Sequence, residues 1–140
     1  KDLAVKQCTV SGSRRNIAAH YDLSNEFFAL FLDETMAYSC GIFERIDSTL
    51  EEAALAKYER ICRKLDLSEK DHVVEIGTGL GGFAIHAAQN YGCRVTSTTI
   101  SAEQYAEASR RVEEAGLQDR ITLLEDDFRD LEGRFDKLVS

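Results

Sequence analysis

The chain has 140 residues, of which 44% are hydrophobic, and its 17 Lys+Arg against 25 Asp+Glu give a formal net charge of −8. This length and apolar share suit one domain with a packed core and exclude a disordered segment. The acidic balance disfavours a nucleic-acid binder, which needs a basic face for phosphate contacts. No apolar run reaches the roughly 20 residues of a membrane-spanning helix, and we expect no signal peptide.

The four cysteines, Cys8, Cys40, Cys62 and Cys93, are scattered along the chain. They form no C-x-x-C pair, and no histidine stands at zinc-ligand spacing from them. A disulfide framework in a small secreted protein would be denser. We therefore expect reduced thiols, no metal site and a cytoplasmic location.

The first half of the chain has helical patterning. An apolar run within 26–32 predicts a short helix, and Gly41 permits a turn after it. Ser48 with Glu51 is a capping box, which predicts a helix from Thr49 to about Leu65. We therefore expect a helical N-terminal segment over residues 1–70.

The second half alternates β-rich and helical runs. The strand His72–Ile76 ends in a glycine cluster, and the helix after it stops at Gly92. A second capping box, Ser101 with Gln104, predicts a helix to Ala115. Further strands are predicted at 94–99, 121–125 and 135–139. This alternation predicts an α/β fold with a four-stranded parallel, doubly wound sheet over residues 71–140.

The glycine cluster marks the expected ligand site. In such sheets a ligand binds outside the carboxyl ends of the strands. Gly77 and Gly79 would let the backbone approach it, and the following helix N-terminus offers N–H groups to an anion. The match to G-x-G-x-x-G, completed by Gly82, is weak by itself, and a turn that needs small residues only for strand–helix packing is the alternative.

The positions of the acids distinguish two ligand classes. A dinucleotide enzyme has an acid about 20 residues on, at the end of the second strand. Here residues 98–100 are Thr-Thr-Ile, and the next carboxylate is Glu103. Instead, Glu75 precedes the first glycine by two residues, and Asp126-Asp127 follows the third strand. The run E-x-G-x-G-x-G resembles the first motif of class I S-adenosylmethionine-dependent methyltransferases, in which this carboxylate answers the cofactor's ammonium group. The pattern favours a methyltransferase over the alternative, an NAD-type oxidoreductase.

A more specific resemblance covers nearly the whole chain from about Arg14. The segment NIAAHYDLSNEFFALFLDETMAYSCGIFE (16–44) is similar to the one that precedes the methyltransferase core in the cyclopropane-fatty-acyl-phospholipid synthase and mycolic acid cyclopropane synthase family. The likeness continues through VVEIGTGLGGFAIHAAQNYG, TTISAEQ and DDFRDLEGRFDKLVS. The combination of H-Y-D, Y-S-C, T-I-S-x-E-Q and D-F-R-D is far more specific than the glycine loop.

The resemblance implies methyl transfer from S-adenosylmethionine to carbon. The family places the methyl group on a cis double bond of a lipid acyl chain. A bound bicarbonate then removes a proton as a cyclopropane ring closes, and some members give a methyl branch. The implied partner is an unsaturated acyl phospholipid at the membrane surface, with a peripheral position at the inner membrane face. The alternatives are a methyltransferase with another small-molecule acceptor and a non-catalytic cofactor-binding module.

The resemblance also implies residue roles. The residues that it places at the cofactor's amino-acid end are Tyr38, Ser39, Glu75, Gly77 and Gly79. Those that it places along the ribose and the adenine are Thr99, Ile100, Gln104, Asp127 and Phe128. Cys40 corresponds to a cysteine whose backbone neighbours the bicarbonate. Because nothing cationic flanks Cys40 in the sequence, we do not expect it to be a nucleophile.

Several of these side chains have simpler interpretations. Tyr38 fits a core aromatic, Gln104 fits the capping box alone, and His20 fits a hydrogen-bonded structural histidine. The helix-spaced phenylalanines Phe27, Phe28 and Phe31 are expected in the core. The basic residues Lys57, Arg60 and Lys64 are expected to form a solvated face, the alternative being an anchor for anionic lipid headgroups.

Two departures from the family pattern stand out. The family usually has Cys and Trp where this chain has Thr78 and Leu80. A Glu-His pair and further bicarbonate ligands follow the fourth strand in the family, whereas the sequence given ends at Ser140. From this we expect no turnover by these 140 residues alone, and we expect self-association through an unpaired sheet edge.

Overall fold

The structure, a computed structural model, describes residue 28 and residues 30–37 and 39–140. Phe28 is helical, but residues 30–31 form a turn, so the predicted helix does not continue to residue 32. Phe31 is 52% exposed and is not the core residue that its spacing predicted. A separate turn follows at residues 34–35, where Asp33 Oδ1 accepts a hydrogen bond from the Thr35 N–H at 2.7 Å.

The first long helix, α1, spans Leu50–Leu65, and its capping box lies one residue later than predicted. Thr49 Oγ1 accepts from the Glu52 N–H at 3.1 Å, and the Glu52 carboxylate accepts from the Thr49 N–H at 2.9 Å. Ser48 with Glu51 and Thr49 with Glu52 both satisfy the capping pattern. The sequence pattern alone therefore does not decide which of the two residues caps the helix, and in the structure the cap is Thr49.

Gly41 allows close packing rather than the predicted turn. A Cβ on this residue would lie 2.7 Å from the Cβ of Ala53 on α1. The Ile42 N–H donates to the Ala53 carbonyl at 2.9 Å, so the chain is held against the helix there. A larger side chain at position 41 would separate this segment from α1.

The remaining residues form the predicted α/β architecture. All four strands are parallel, in the order β3-β2-β1-β4. They are β1 (His72–Ile76), β2 (Arg94–Thr98), β3 (Ile121–Leu124) and β4 (Lys137–Val139). The connections contain α2 (Gly82–Tyr91), α3 (Ala102–Glu114) and a 3₁₀ turn (Phe128–Asp130). The last three strands are one or two residues shorter than predicted.

One apolar cluster joins the helices to the sheet. The strands contribute Val73, Val95 and Ile121, all nearly or fully inaccessible, and α2 contributes alanines that let it pack closely. Cys62 of α1 and Cys93 are buried in the same cluster as free thiols, and burial raises the pKa of Cys62 to about 12. Both thiols are therefore buried in the core and keep their protons at neutral pH.

The strand order places the loop after β1 at a topological switch point of the sheet. β1 lies between β2 and β4, so the chain leaves the sheet in different directions on its two sides. In open parallel sheets, ligand crevices form at such switch points, at the carboxyl ends of the strands. None of the helices in the described part of the chain is long and apolar enough to span a bilayer.

Candidate functional site

The loop after β1 forms an open cradle of backbone. Gly77 and Gly79 have φ angles of +94° and +54°, which L side chains rarely adopt. A Cβ on either residue would meet no atom within 4 Å, so the space above the loop is free. Gly81 then forms the N-cap of α2 without a side-chain cap, which leaves N–H groups at the helix N-terminus.

A cavity of about 250 Å³ lies over this cradle. Its walls come from the 36–39 segment, from α1, from the glycine loop and from the start of α3. The lining residues are Met36, Ala37, Ser39, Tyr58, Glu75, Gly77, Thr78, Gly79, Leu80, Gly82, Phe83 and Gln104. Of the predicted site residues, the structure brings together Ser39, Glu75, Gly77, Gly79 and Gln104. Tyr38 and His20 lie outside the described residues.

Glu75 is the buried acid of this cavity, with 6% of its surface exposed. Ser97 Oγ donates to Glu75 Oε2 at 2.5 Å, and Thr78 Oγ1 lies 2.7 Å from Ser97 Oγ. Because the Ser97 proton is directed to Glu75, Thr78 donates to Ser97. Burial raises the pKa of Glu75 to about 8, and only the Ser97 hydrogen bond opposes that shift.

The second capping box forms only in part. Ser101 Oγ accepts from the Gln104 N–H at 3.3 Å, as predicted. The Gln104 side chain does not return to the Ser101 N–H, which donates instead to Thr99 Oγ1 at 3.2 Å. Gln104 Oε1 accepts from Thr99 Oγ1 at 2.9 Å, and the Gln104 side chain lines the cavity. Thr99 is thus a buried support for Gln104, and Ile100 beside it is half-buried.

Tyr58 is a cavity residue whose role the sequence did not indicate. A Cβ on Gly82 would lie 2.5 Å from Tyr58 Oη, so the phenol packs directly on the start of α2. Burial, with the Glu75 charge as a second cause, raises the pKa of Tyr58 to about 12. The hydroxyl therefore keeps its proton at neutral pH. Tyr58 on α1 packs against Gly82 on α2. The spacing of residues along the sequence does not predict a contact between two helices.

A cation lies beside the segment of Ser39 and Cys40. Lys57 Nζ donates to Ser39 Oγ at 2.7 Å and is 4.7 Å from the centre of the Tyr58 ring. Lys57 also interacts electrostatically with Cys40, although no basic residue flanks Cys40 in the sequence. Lys57 is half-buried, which also contradicts its assignment to a solvated face, whereas Arg60 and Lys64 are exposed.

Asp127 and Phe128 follow β3 outside the cavity lining. Asp127 is buried, forms the N-cap of the 3₁₀ turn and makes a 2.5 Å ion pair with Arg129. Phe128 is 52% exposed. Thr98 Oγ1 donates to the Asp126 carbonyl, which fixes this loop to the end of β2. The loop thus stands at the same sheet edge as the glycine cradle.

Arg111 of α3 is a second residue that the sequence did not single out. Its guanidinium donates to the carbonyls of Glu34 and Leu80, each at 2.8 Å, and to that of Thr35 at 3.0 Å. Leu80 belongs to the glycine loop, so one side chain holds the 34–35 backbone against that loop. Of the residues joined by this contact, Leu80 lines the cavity.

The parallel sheet, the glycine cradle after β1 and the acid at the end of β1 define a class I S-adenosylmethionine-dependent methyltransferase fold. A solved structure titled as mycolic acid cyclopropane synthase CmaA1 complexed with SAH and CTAB is similar to this chain, with a TM-score of 0.84 and 34% identity over 89% of this chain and 44% of that one.

Sequence relatives agree. A probable fatty acid methyltransferase of Pseudomonas putida is 45% identical over 89% of this chain and 32% of its own length. The cyclopropane-fatty-acyl-phospholipid synthase of Escherichia coli K12 is 46% identical over 86% of this chain and 30% of its own length. The mycolic acid cyclopropane synthetase family matches residues 9–140. The chain belongs to that family, and it spans about a third of the length of these relatives.

Proposed function

We propose that the protein containing this chain transfers a methyl group from S-adenosylmethionine to the double bond of an unsaturated acyl chain of a phospholipid. The observation that carries the proposal is the buried Glu75 beside a glycine cradle that is open above Gly77 and Gly79. An acid and an open backbone at one sheet edge fit a ligand with an ammonium group and a flat, bulky remainder.

The residues present fit S-adenosylmethionine. When bound, this cofactor supplies an electrophilic methyl group on a positively charged sulfur. Glu75 would hold the ammonium group, and Gly77 and Gly79 would let the amino-acid end lie directly on the backbone. Ser39 would contact the same end, and Gln104, oriented by Thr99, would hydrogen-bond the ribose. Ile100, Asp127 and Phe128 complete the proposed site at the ribose and adenine, and Tyr38 completes it at the amino-acid end.

The acceptor is proposed from the relatives, whose names specify fatty acyl and phospholipid substrates. Phe83, Leu80 and Met36 give the cavity an apolar wall suited to a hydrocarbon and to the exclusion of water. We extend the proposal to bicarbonate as the base, bound near the backbone of Cys40, and to a peripheral position at a membrane surface. The product is a cyclopropane or a methyl branch.

Cofactor binding is tested by calorimetric titration of the chain with S-adenosylmethionine, S-adenosylhomocysteine and NAD. We expect the first two to bind and NAD not to bind. Gly79→Ala should weaken binding at least tenfold, because its Cβ enters the cradle and its φ is strained. Gly116→Ala is the matched control, since Gly116 also has a positive φ of +67° with open space around it but ends α3 away from the cavity. NAD binding, or equal effects of the two variants on affinity, would contradict the proposed site.

The reaction is tested on a full-length protein that contains this chain. Labelled S-adenosylmethionine and vesicles of mono-unsaturated phospholipid should give labelled acyl chains, and removal of bicarbonate should reduce the rate. Vesicles of the saturated phospholipid are the control and should remain unlabelled. Label in a small-molecule acceptor but not in the unsaturated lipid would contradict the proposed phospholipid acceptor.

A further inference from the structure

We propose that Lys57 is a positioning residue that supplies, through Ser39, the positive charge for the carboxylate of the cofactor's amino-acid end. The inference rests on the proposed function, because it names a further determinant of the same cofactor site. Lys57 Nζ donates to Ser39 Oγ at 2.7 Å, and Ser39 lines the cavity that Glu75 also lines.

Lys57 is a half-buried cation that forms no ion pair with another described residue. Its ammonium group contacts the Ser39 hydroxyl and the face of Tyr58, and Cys40 and Asp33 interact with it electrostatically. Within residues 28, 30–37 and 39–140, no carboxylate oxygen lies within 4.0 Å of its ammonium group. A partly desolvated charge is costly unless it is paired, so this position favours an incoming anion.

The hydrogen bond also fixes the orientation of Ser39. Because the ammonium group has only donors, Ser39 Oγ must accept from it, and the hydroxyl proton is then free to be donated. That proton would go to a carboxylate oxygen in the cavity. The charge of Lys57 strengthens this donor, as expected for a chain of hydrogen bonds.

The cavity then offers a partner to each charged group of an α-amino acid. Glu75 answers an ammonium group, and the pair of Lys57 and Ser39 answers a carboxylate. S-adenosylmethionine carries both groups at its amino-acid end. Burial lowers the pKa of Lys57 from its ordinary value, and a bound carboxylate would raise it again.

The test compares S-adenosylmethionine with decarboxylated S-adenosylmethionine, which keeps the ammonium group and lacks the carboxylate. Calorimetric affinities are measured for the chain and for Lys57→Met, Lys57→Arg, Ser39→Ala and Lys64→Met. Lys57→Met should weaken S-adenosylmethionine about tenfold and leave the decarboxylated ligand unchanged. Lys57→Arg should keep most of the affinity for S-adenosylmethionine. Ser39→Ala should lose about as much of that affinity as Lys57→Met. Lys64→Met, on the exposed part of the same helix, should change neither affinity.

Other outcomes have distinct meanings. If the unsubstituted chain binds S-adenosylmethionine but Lys57→Met weakens both ligands equally or neither, Lys57 does not serve the carboxylate and the proposal is overturned. If the unsubstituted chain binds neither ligand, the proposed function itself fails, and this inference fails with it. Thermal melting of each variant separates a loss of folding from a loss of affinity.

Discussion

Among single residues, the buried Glu75 lowers the stability of the fold near neutral pH. Its carboxyl group accepts a hydrogen bond from Ser97, and burial raises its pKa to about 8. The native chain therefore keeps a proton that the unfolded chain releases above pH 4.5, the ordinary value. The free energy of unfolding must then fall as pH rises from about 4.5 to about 8.

Glu75→Gln removes this dependence, because an amide does not titrate. We expect the variant to be more stable than the unsubstituted chain at pH 7.5, and its stability to lose a slope of up to about 1.4 kcal/mol per pH unit. We also expect it to lose affinity for S-adenosylmethionine. Urea unfolding at pH 5, 6, 7 and 8 measures the slope, with the exposed Glu113→Gln as control. A variant with an unchanged slope would show that Glu75 is ionised in the native chain.

Thr78 and Leu80, the two departures from the family pattern, line the same cavity as Glu75. Thr78, which stands where the family usually has cysteine, donates to Ser97 and so extends the hydrogen-bond chain that ends on Glu75. Leu80, in place of the usual tryptophan, is buried and lines the cavity. Both residues therefore lie in the wall of the cavity.

At the scale of elements, the 34–35 backbone is joined to the glycine loop by α3. Arg111 contacts three carbonyl oxygens, two on this backbone and one on Leu80. Hydrogen bonds from a charged, half-buried donor contribute more than those of an exposed ion pair. The preceding residue, Arg110, has a side chain that is 54% exposed and makes ion pairs with Glu107 and Glu114 on its own helix.

These adjacent arginines form a matched pair of variants. Arg111→Ala should cost roughly 1–3 kcal/mol and increase amide hydrogen exchange in residues 30–37, because three carbonyl contacts are lost. Arg110→Ala should cost less than about 0.5 kcal/mol and leave that exchange unchanged. Hydrogen exchange with mass spectrometry and thermal melting measure the two effects. Equal exchange in the two variants would mean that Arg111 does not hold this segment.

At the scale of the whole molecule, the sheet leaves β3 and β4 at its two edges within the described residues. β4 is three residues long, and its Leu138 is 58% exposed. Unpaired strand edges with apolar side chains are templates for pairing with another chain. We therefore propose that these 140 residues self-associate through β4.

Sedimentation velocity over a range of concentrations tests this association. Leu138→Glu should shift the chain toward monomer, because a charged side chain on an edge strand opposes pairing. Leu50→Glu is the control, since Leu50 is equally exposed, at 56%, but lies at the start of α1. A monomer at all concentrations, or equal effects of the two substitutions, would contradict an interface at β4.

The sequence alone determined the order of the elements, the parallel α/β class and the position of the ligand loop. These features have local causes: β-rich runs, helix-stopping glycines and a glycine cluster directly after a strand. The same local patterns left two features of the structure undecided. Ser48 and Thr49 each have a glutamate three residues later, so the pattern could not choose the helix cap, and the end of β2 offered Gln104 a partner other than Ser101.

Only the tertiary structure decided what surrounds the cavity. The contact between Lys57 and Ser39 spans 18 residues of sequence, and that between Arg111 and Thr35 spans 76. Tyr58 reaches Gly82 from a different helix. Each of these contacts depends on how helices pack on the sheet, and packing is not encoded in the spacing of neighbouring residues. The acid and the glycines could therefore be predicted from the sequence, whereas the contacts of Lys57 and Arg111 could not.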